Sequence, residues 1–183
     1  MRLISVDPGT FRTGWAVLND TDLIASGCLH PPGQSWQSRV AIIKLELERL
    51  CQLHEVAHAA VEWNVEKLSG TTGKSHETLL TGTACMIGYF LHQFWPHQCY
   101  LIAPRQWKGV NSKSKTMFDV GMLYPGVVPP HQSSAKVEFE RHSDRCDAIL
   151  MGRLFIDWSK LMEGAHQDWR KMLHDKKTKM YRL

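Results

Sequence analysis

The sequence predicts an α/β protein built on a central mixed five-stranded sheet, its first three strands antiparallel, with helices on its faces. Three observations carry that reading. Three short apolar runs rich in β-branched residues follow one another within the first 30 positions, separated only by turn residues. Two long segments then repeat apolar side chains at three- and four-residue steps, as amphipathic helices do. Each of these is followed by another short apolar run, so helix and strand alternate after the opening meander.

The first strand, about 2–7, is Leu3-Ile4-Ser5-Val6-Asp7, delivered into the turn Pro8-Gly9-Thr10. Thr13-Gly14-Trp15-Ala16-Val17-Leu18 returns as a second strand over about 13–19. A third over about 22–30 stops at Pro31-Pro32-Gly33, because proline can neither donate to a ladder nor continue it. Val40, Ile43, Leu47 and Leu50 mark a helix over about 35–54, and Val56 to Glu62 reads as the fourth strand. A second helix over about 75–94, with Leu79, Leu80, Ala84, Ile87 and Leu91, is apolar enough to lie mostly buried. Cys99 to Ile102 is the fifth strand, ended by Ala103-Pro104. A short helix near 113–123, a Pro/Gly loop at 125–134 and a long helix at about 143–162 complete the order.

At 183 residues and 43% hydrophobic content the chain fits one domain, 1–162, followed by a tail at 163–183. That tail holds six Lys or Arg against three acids and so supplies +3 of the formal +4. A mild basic balance suits a polyanionic partner without requiring one. Five cysteines, odd in number and without a C-x-x-C pair, point to free thiols in a reducing, cytoplasmic setting. No apolar run is long enough to span a membrane, and the first residues reach Asp7 without a secretory apolar core. The ten histidines are scattered. Only His54 and His58 are four apart, and His58 belongs to a strand, so no zinc site is expected.

Four acids stand out by position. Asp7 ends the first strand, Glu62 ends the fourth, and Asp144 and Asp147 share one face of the late helix at i, i+3 spacing. A carboxylate at the tip of a buried strand is costly unless a cation offsets it. Hard oxygen donors in such a group suit magnesium, with manganese as a substitute, and two ions can drive phosphodiester hydrolysis. Asp7 would then be a bridging ligand, Glu62 would serve one ion and Asp147 with Asp144 the other, a division of the acids between the ions that the sequence leaves open. Lys108, Lys113 and Lys115 would stabilise developing charge or hold the backbone. Each has a plainer reading: Asp7 as a turn former, Glu62 paired with Lys67 or Lys74, Asp144 as a charge favoured at a helix N-terminus, the lysines as a solvated loop.

The conjunction of Asp7-Pro8-Gly9-Thr10 with Thr13-Gly14, Val61-Glu62 on the fourth strand and Asp144-x-x-Asp147-Ala148 on the last helix resembles RuvC, the Holliday junction resolvases of the ribonuclease H-like superfamily. The motifs run in order along nearly the whole chain to about residue 158. Pro104-Arg105-Gln106-Trp107-Lys108 with Lys113 and Lys115 is similar to the basic residues that family places after its fifth strand. The resemblance implies a homodimer that binds a four-way DNA junction and makes paired symmetric nicks with magnesium, leaving 5′-phosphate and 3′-hydroxyl ends. Arg105, Trp107, Lys108, Lys113 and Lys115 would contact DNA, and a phage-type member fits. The family's aromatic three residues after the strand-four acid is Val65 here, so junction opening is expected either to use Trp63 or another group or to be weaker.

Ser69 to Ser75 ends like a nucleotide-binding loop, but the required first glycine would be at 68, which is Leu68, so no nucleotide cofactor is expected. Gly73, Lys74 and Ser75 instead present amides and a positive charge at a helix start, suited to a DNA phosphate or simply to capping. Three other readings remain: a related nuclease acting on structured RNA, which would share the strand acid; a catalytically silent junction-binding module; and an actin-like sugar-kinase or ATPase domain, which shares the opening turn but whose second phosphate loop and second domain do not fit in 183 residues.

Overall fold

The computed structural model describes residues 1–63, 75–95, 98–108, 112–128, 136–164 and 180–182. Strands β1 (Arg2–Asp7), β2 (Thr13–Asn19) and β3 (Asp22–Leu29) form the antiparallel meander. Helix α1 (Trp36–Leu53) crosses to β4 (His58–Glu62), which runs parallel to β1. Helix α2 (Ser75–Phe94) crosses to β5 (Cys99–Ile102), parallel to β4. After β5 come a single helical turn α3 (Pro104–Trp107), then α4 (Lys113–Leu123) and α5 (Lys136–Gly164). The expected five strands therefore lie in the order β3-β2-β1-β4-β5. A sixth, β6 (Met180–Arg182), adds antiparallel to β5 from within the basic tail.

The period of two along the strands sorts the core into two layers. Ile4, Val6, Val17, Ala59, Val61 and Leu101 face one way, into a cluster with Ile43, Leu47 and Leu50 of α1 and Ile87 and Leu91 of α2. Leu3, Ala16, Leu18, Ala60 and Ile102 face the other way, against Ile149, Met151, Phe155 and Ile156 of α5 and Val120 of α4. Most of these side chains are fully buried, each leucine or isoleucine contributing about 1.5–3 kcal/mol. By the same alternation Asp7 and Glu62 point toward α5.

Ser35 caps α1 by accepting the Ser38 N–H, and Ser112 caps α4 by accepting that of Lys115. Two elements depart from expectation. Pro104 both ends β5 and occupies the first turn of α3, where its missing N–H costs nothing. Helix α5 begins at Lys136, a full two turns before the expected start near 143. Val137 and Phe139 alternate with charges and show no helical period, so that entry is invisible to pattern reading. As a result Asp144 lies inside the helix and is not a charge at its N-terminus.

Helix α5 approaches the sheet closely where glycine permits. A Cβ on Gly14 would sit 2.0 Å from the Asp144 carbonyl oxygen, and one on Gly152 would fall 2.7 Å from the Ser5 Cβ. Gly14 is paired with Asp7 across β1 and β2, so the missing side chain brings the helix carrying Asp144 down beside the strand-tip acid. Gly14→Ala is expected to destabilise the protein by at least about 2 kcal/mol, through forced separation of α5 from β2. Urea unfolding measures this, and a stability within about 0.5 kcal/mol of the parent would contradict the close-approach role.

Candidate active site

Asp7 and Glu62 are the last residues of adjacent parallel strands. Val6 pairs with Val61, so the two acids follow one step on and side by side, about 4.8 Å being the usual spacing between neighbouring strands. Helix α5 lays Asp144 and Asp147 over that edge. Burial raises the Asp7 pKa well above its ordinary value, and the charges of Glu62, Asp147 and Asp144 raise it further, with Lys108 opposing. The four expected acids are thus one electrostatic group, drawn from β1, β4 and α5.

Three cations hold the group together. The Lys108 ammonium donates to Asp147 Oδ2 at 2.5 Å, and both side chains are largely buried. Lys113 donates to Asp144 Oδ1 at 3.0 Å and to Ser143 Oγ at 3.1 Å. Arg12 Nε donates to Asp144 Oδ2 at 3.0 Å. Burial works against the charge on Lys113, but Asp144, Asp147 and Asp7 outweigh it and raise its pKa. Trp107 fixes Glu62 by donating its indole N–H to Oε2 at 3.1 Å. Burial, then Asp147, pushes the Glu62 carboxyl up to about 7 against the pull of Lys108, Trp107 and Lys113. Asp147 is also raised, mainly by burial, with Lys108 opposing.

Carboxylate oxygens as the shared donor chemistry fit a hard divalent cation. One feature of the geometry fits as well: Asp147 Oδ1 is buried and has no hydrogen-bond partner among the described residues. A carboxylate oxygen left so is costly, and a cation is the partner that best satisfies it. Among the described residues no three His, Cys, Asp or Glu side chains are placed closely enough to hold a metal ion between them as they stand. Lys108, Lys113 and Arg12 occupy Asp147 Oδ2 and both oxygens of Asp144.

The remaining expected residues fall elsewhere. Lys115 does not join the acids: its ammonium pairs with Asp119 one turn along α4 and lies near the Phe118 ring. Trp107 is 5% exposed, so its ring has no free face for a base, and its role is to position Glu62. Trp63, partly buried, packs with the cluster on the α1 and α2 side, across the sheet from the acids. Arg105 lies in α3 and Ser75 opens α2, their side chains outside the described residues; Gly73 and Lys74 lie outside them altogether, as do Lys67 and the Pro/Gly loop beyond Val128. Arg12 was not anticipated. The signal was a basic residue in the turn between Asp7 and Gly14. All five cysteines are free, as their spacing implied, and among the described residues no helix is long and apolar enough to cross a membrane.

No family model and no curated protein sequence matches the chain. Solved structures do. Thermus thermophilus RuvC in complex with a Holliday junction substrate superposes with a TM-score of 0.62 at 14% identity, over 88% of this chain and 96% of that one. Thermus thermophilus RuvC determined separately gives 0.56 at 12% identity with the same coverage. The yeast mitochondrial Holliday junction resolvase gives 0.55 at 9% identity, over 94% of this chain and 84% of its own. The chain therefore has the RuvC-like, ribonuclease H-like fold.

A carboxyl with a raised folded-state pKa binds more protons folded than unfolded, so its contribution to stability falls as pH rises from the unfolded value to the folded one. For Glu62 that window runs from about 4.5 to about 7. Glu62→Gln is expected to leave the chelator-treated protein unchanged near pH 4 and to stabilise it above pH 7 by on the order of 1–3 kcal/mol. Denaturant melts at several pH values read this out; destabilisation at pH 8 would reverse the assigned sign.

Proposed function

We propose that the protein is a metal-dependent endonuclease that resolves four-way junctions and other branched DNA by paired nicks, acting as a symmetric homodimer. The observation that carries this reading is the convergence of four acids from three elements on one sheet edge, with one buried carboxylate oxygen unsatisfied. The shared fold with RuvC, one structure of which is bound to a Holliday junction substrate, supports the choice of branched DNA.

Magnesium, or manganese in its place, would be held as two ions per site by Asp7, Glu62, Asp144 and Asp147, and would supply positive charge at the attacking water and the departing 3′-oxygen. The chain's own groups do the rest. Trp107 holds Glu62 in one orientation through its indole N–H. Lys108 keeps Asp147 turned toward Asp7 and Glu62 and favours its ionised form. Lys113, about half exposed at the start of α4, is the ammonium best able to reach a phosphate oxygen of the bound strand. Arg12 holds Asp144 from the opposite side and carries a second positive charge to the rim. Expulsion of the 3′-oxygen leaves 5′-phosphate and 3′-hydroxyl ends. Two-fold symmetry would present two such sites to strands of opposite polarity.

The test is an end-labelled mobile four-way junction, with and without magnesium. Asp7→Asn, Glu62→Gln, Asp144→Asn and Asp147→Asn should each keep junction binding within a few-fold while reducing nicking by at least about 100-fold, each removing charge needed in the transition state. Unimpaired cleavage by the variants would refute the site. Efficient cleavage of RNA hairpins with an inert DNA junction would transfer the activity to RNA.

A further inference from the structure

Phe11 lies in the turn between β1 and β2, four residues beyond Asp7 and next to Arg12, which bonds Asp144. Phe11 is 62% exposed, and the ring contact it makes is with the Arg39 guanidinium. Nevertheless the turn around it is rigidly built. Arg39 reaches up from α1, 7% exposed, and donates Nε to the Thr10 carbonyl at 2.7 Å and Nη1 to those of Gly33 and Gln34 at 3.0 and 3.1 Å. A Cβ on Gly9 would lie 2.0 Å from the Arg12 carbonyl oxygen, and Thr13 Oγ1 donates to the Gly9 carbonyl at 3.2 Å, so the turn is closed tightly on itself.

The same buried guanidinium lies 4.3 Å from the Phe11 ring centroid. One ring face is therefore covered by a fixed cation, and the exposed surface is the opposite face and its edges. Arg39 both locks the backbone on which Phe11 stands and orients the ring. Arg12, the next residue, bonds Asp144, so the turn that presents Phe11 stands at the rim of the acid group. Arg12 and Lys113 bring positive charge to the same rim.

We propose that Phe11 is a base-stacking platform, which receives an unpaired base of the strand whose phosphate enters the acid site. The inference rests on the nucleic-acid reading above and adds to it the residue that selects branched over fully paired substrate: an aromatic face can stack only on a base already out of its duplex. A fully paired duplex offers no such base except at its ends. Phosphate contacts from Arg12 and Lys113 supply affinity that salt weakens, whereas the stack supplies a component that salt leaves largely unchanged.

The experiment compares the parent, Phe11→Ala, Phe11→Leu and Phe11→Trp on a four-way junction carrying 2-aminopurine at successive positions around the branch point. Binding and probe fluorescence are read in chelator at two salt concentrations, and nicking is read in magnesium. The parent should change the fluorescence at one position near the branch. Phe11→Ala and Phe11→Leu should lose that change and bind roughly 10- to 100-fold more weakly, the range for one lost base stack, with an unaltered salt slope. Phe11→Trp should retain both, and thermal melts should separate the four only by the small difference that one lost cation–π contact makes, so that weaker binding is not loss of fold. A parent that binds and nicks the junction while Phe11→Ala matches it in affinity and probe signal would overturn the stacking role alone. A parent that neither binds nor nicks it would overturn both this role and the nuclease reading.

Discussion

Four carboxyl groups from three elements occupy one end of the sheet, and their mutual repulsion in a partly dehydrated edge is the constraint around which the rest is arranged. Burial and like charge both penalise ionisation there, as the raised carboxyls of Asp7, Glu62 and Asp147 record. Arg12, Lys108 and Lys113 offset most of that charge, three cations against four acids. Each cation comes from a different element: the β1–β2 turn, the end of α3 and the start of α4. The ends of several elements are thereby tied to one electrostatic centre.

The fold supplies the geometry this balance needs. Parallel pairing of β1 with β4 sets two strand-end acids side by side, and the alternation of the strands turns both toward α5. At Gly14 a side chain would hold α5 away, and the close seat of Gly152 on Ser5 continues the contact along the helix. Trp107 then serves the core and the site together, its ring in the α5-side cluster and its N–H on Glu62. A change in packing at these points is also a change in site geometry.

Much of this was legible in the residues. The three-strand meander, both crossover helices and the strand-tip acids Asp7 and Glu62 follow from hydrophobic period, turn chemistry and the cost of a charge at a buried strand tip, whereas Asp144 and Asp147 join them through their i, i+3 spacing and the family resemblance. Helix α5's early start was not, because Val137 and Phe139 imitate a strand and no capping residue marks Lys136. Strand β6 was not, because three residues in a basic tail carry no period. Among the side chains, Trp107 and Trp63 looked available to DNA, yet tertiary packing buries one and turns the other to the opposite face. Lys113 and Lys115 are two residues apart and therefore diverge on a helix, so only the first reaches the acids. Arg39 and Phe11, 28 positions apart, become partners only through the fold.

Arg12, Lys108 and Lys113 balance these acids, so a divalent ion held by the acids as proposed would displace ammonium groups and protons. Calorimetric titration of the protein with manganese, repeated in buffers of different ionisation enthalpy, measures both the number of ions and the protons released. The account predicts two ions per chain, with proton release near pH 6 that diminishes as the pH passes the Glu62 carboxyl's value of about 7. Saturable binding lost in Asp147→Asn would place those ions at the acid group. No saturable binding by the parent at millimolar manganese, or binding indifferent to that substitution, would contradict the claim that these four acids form a metal site.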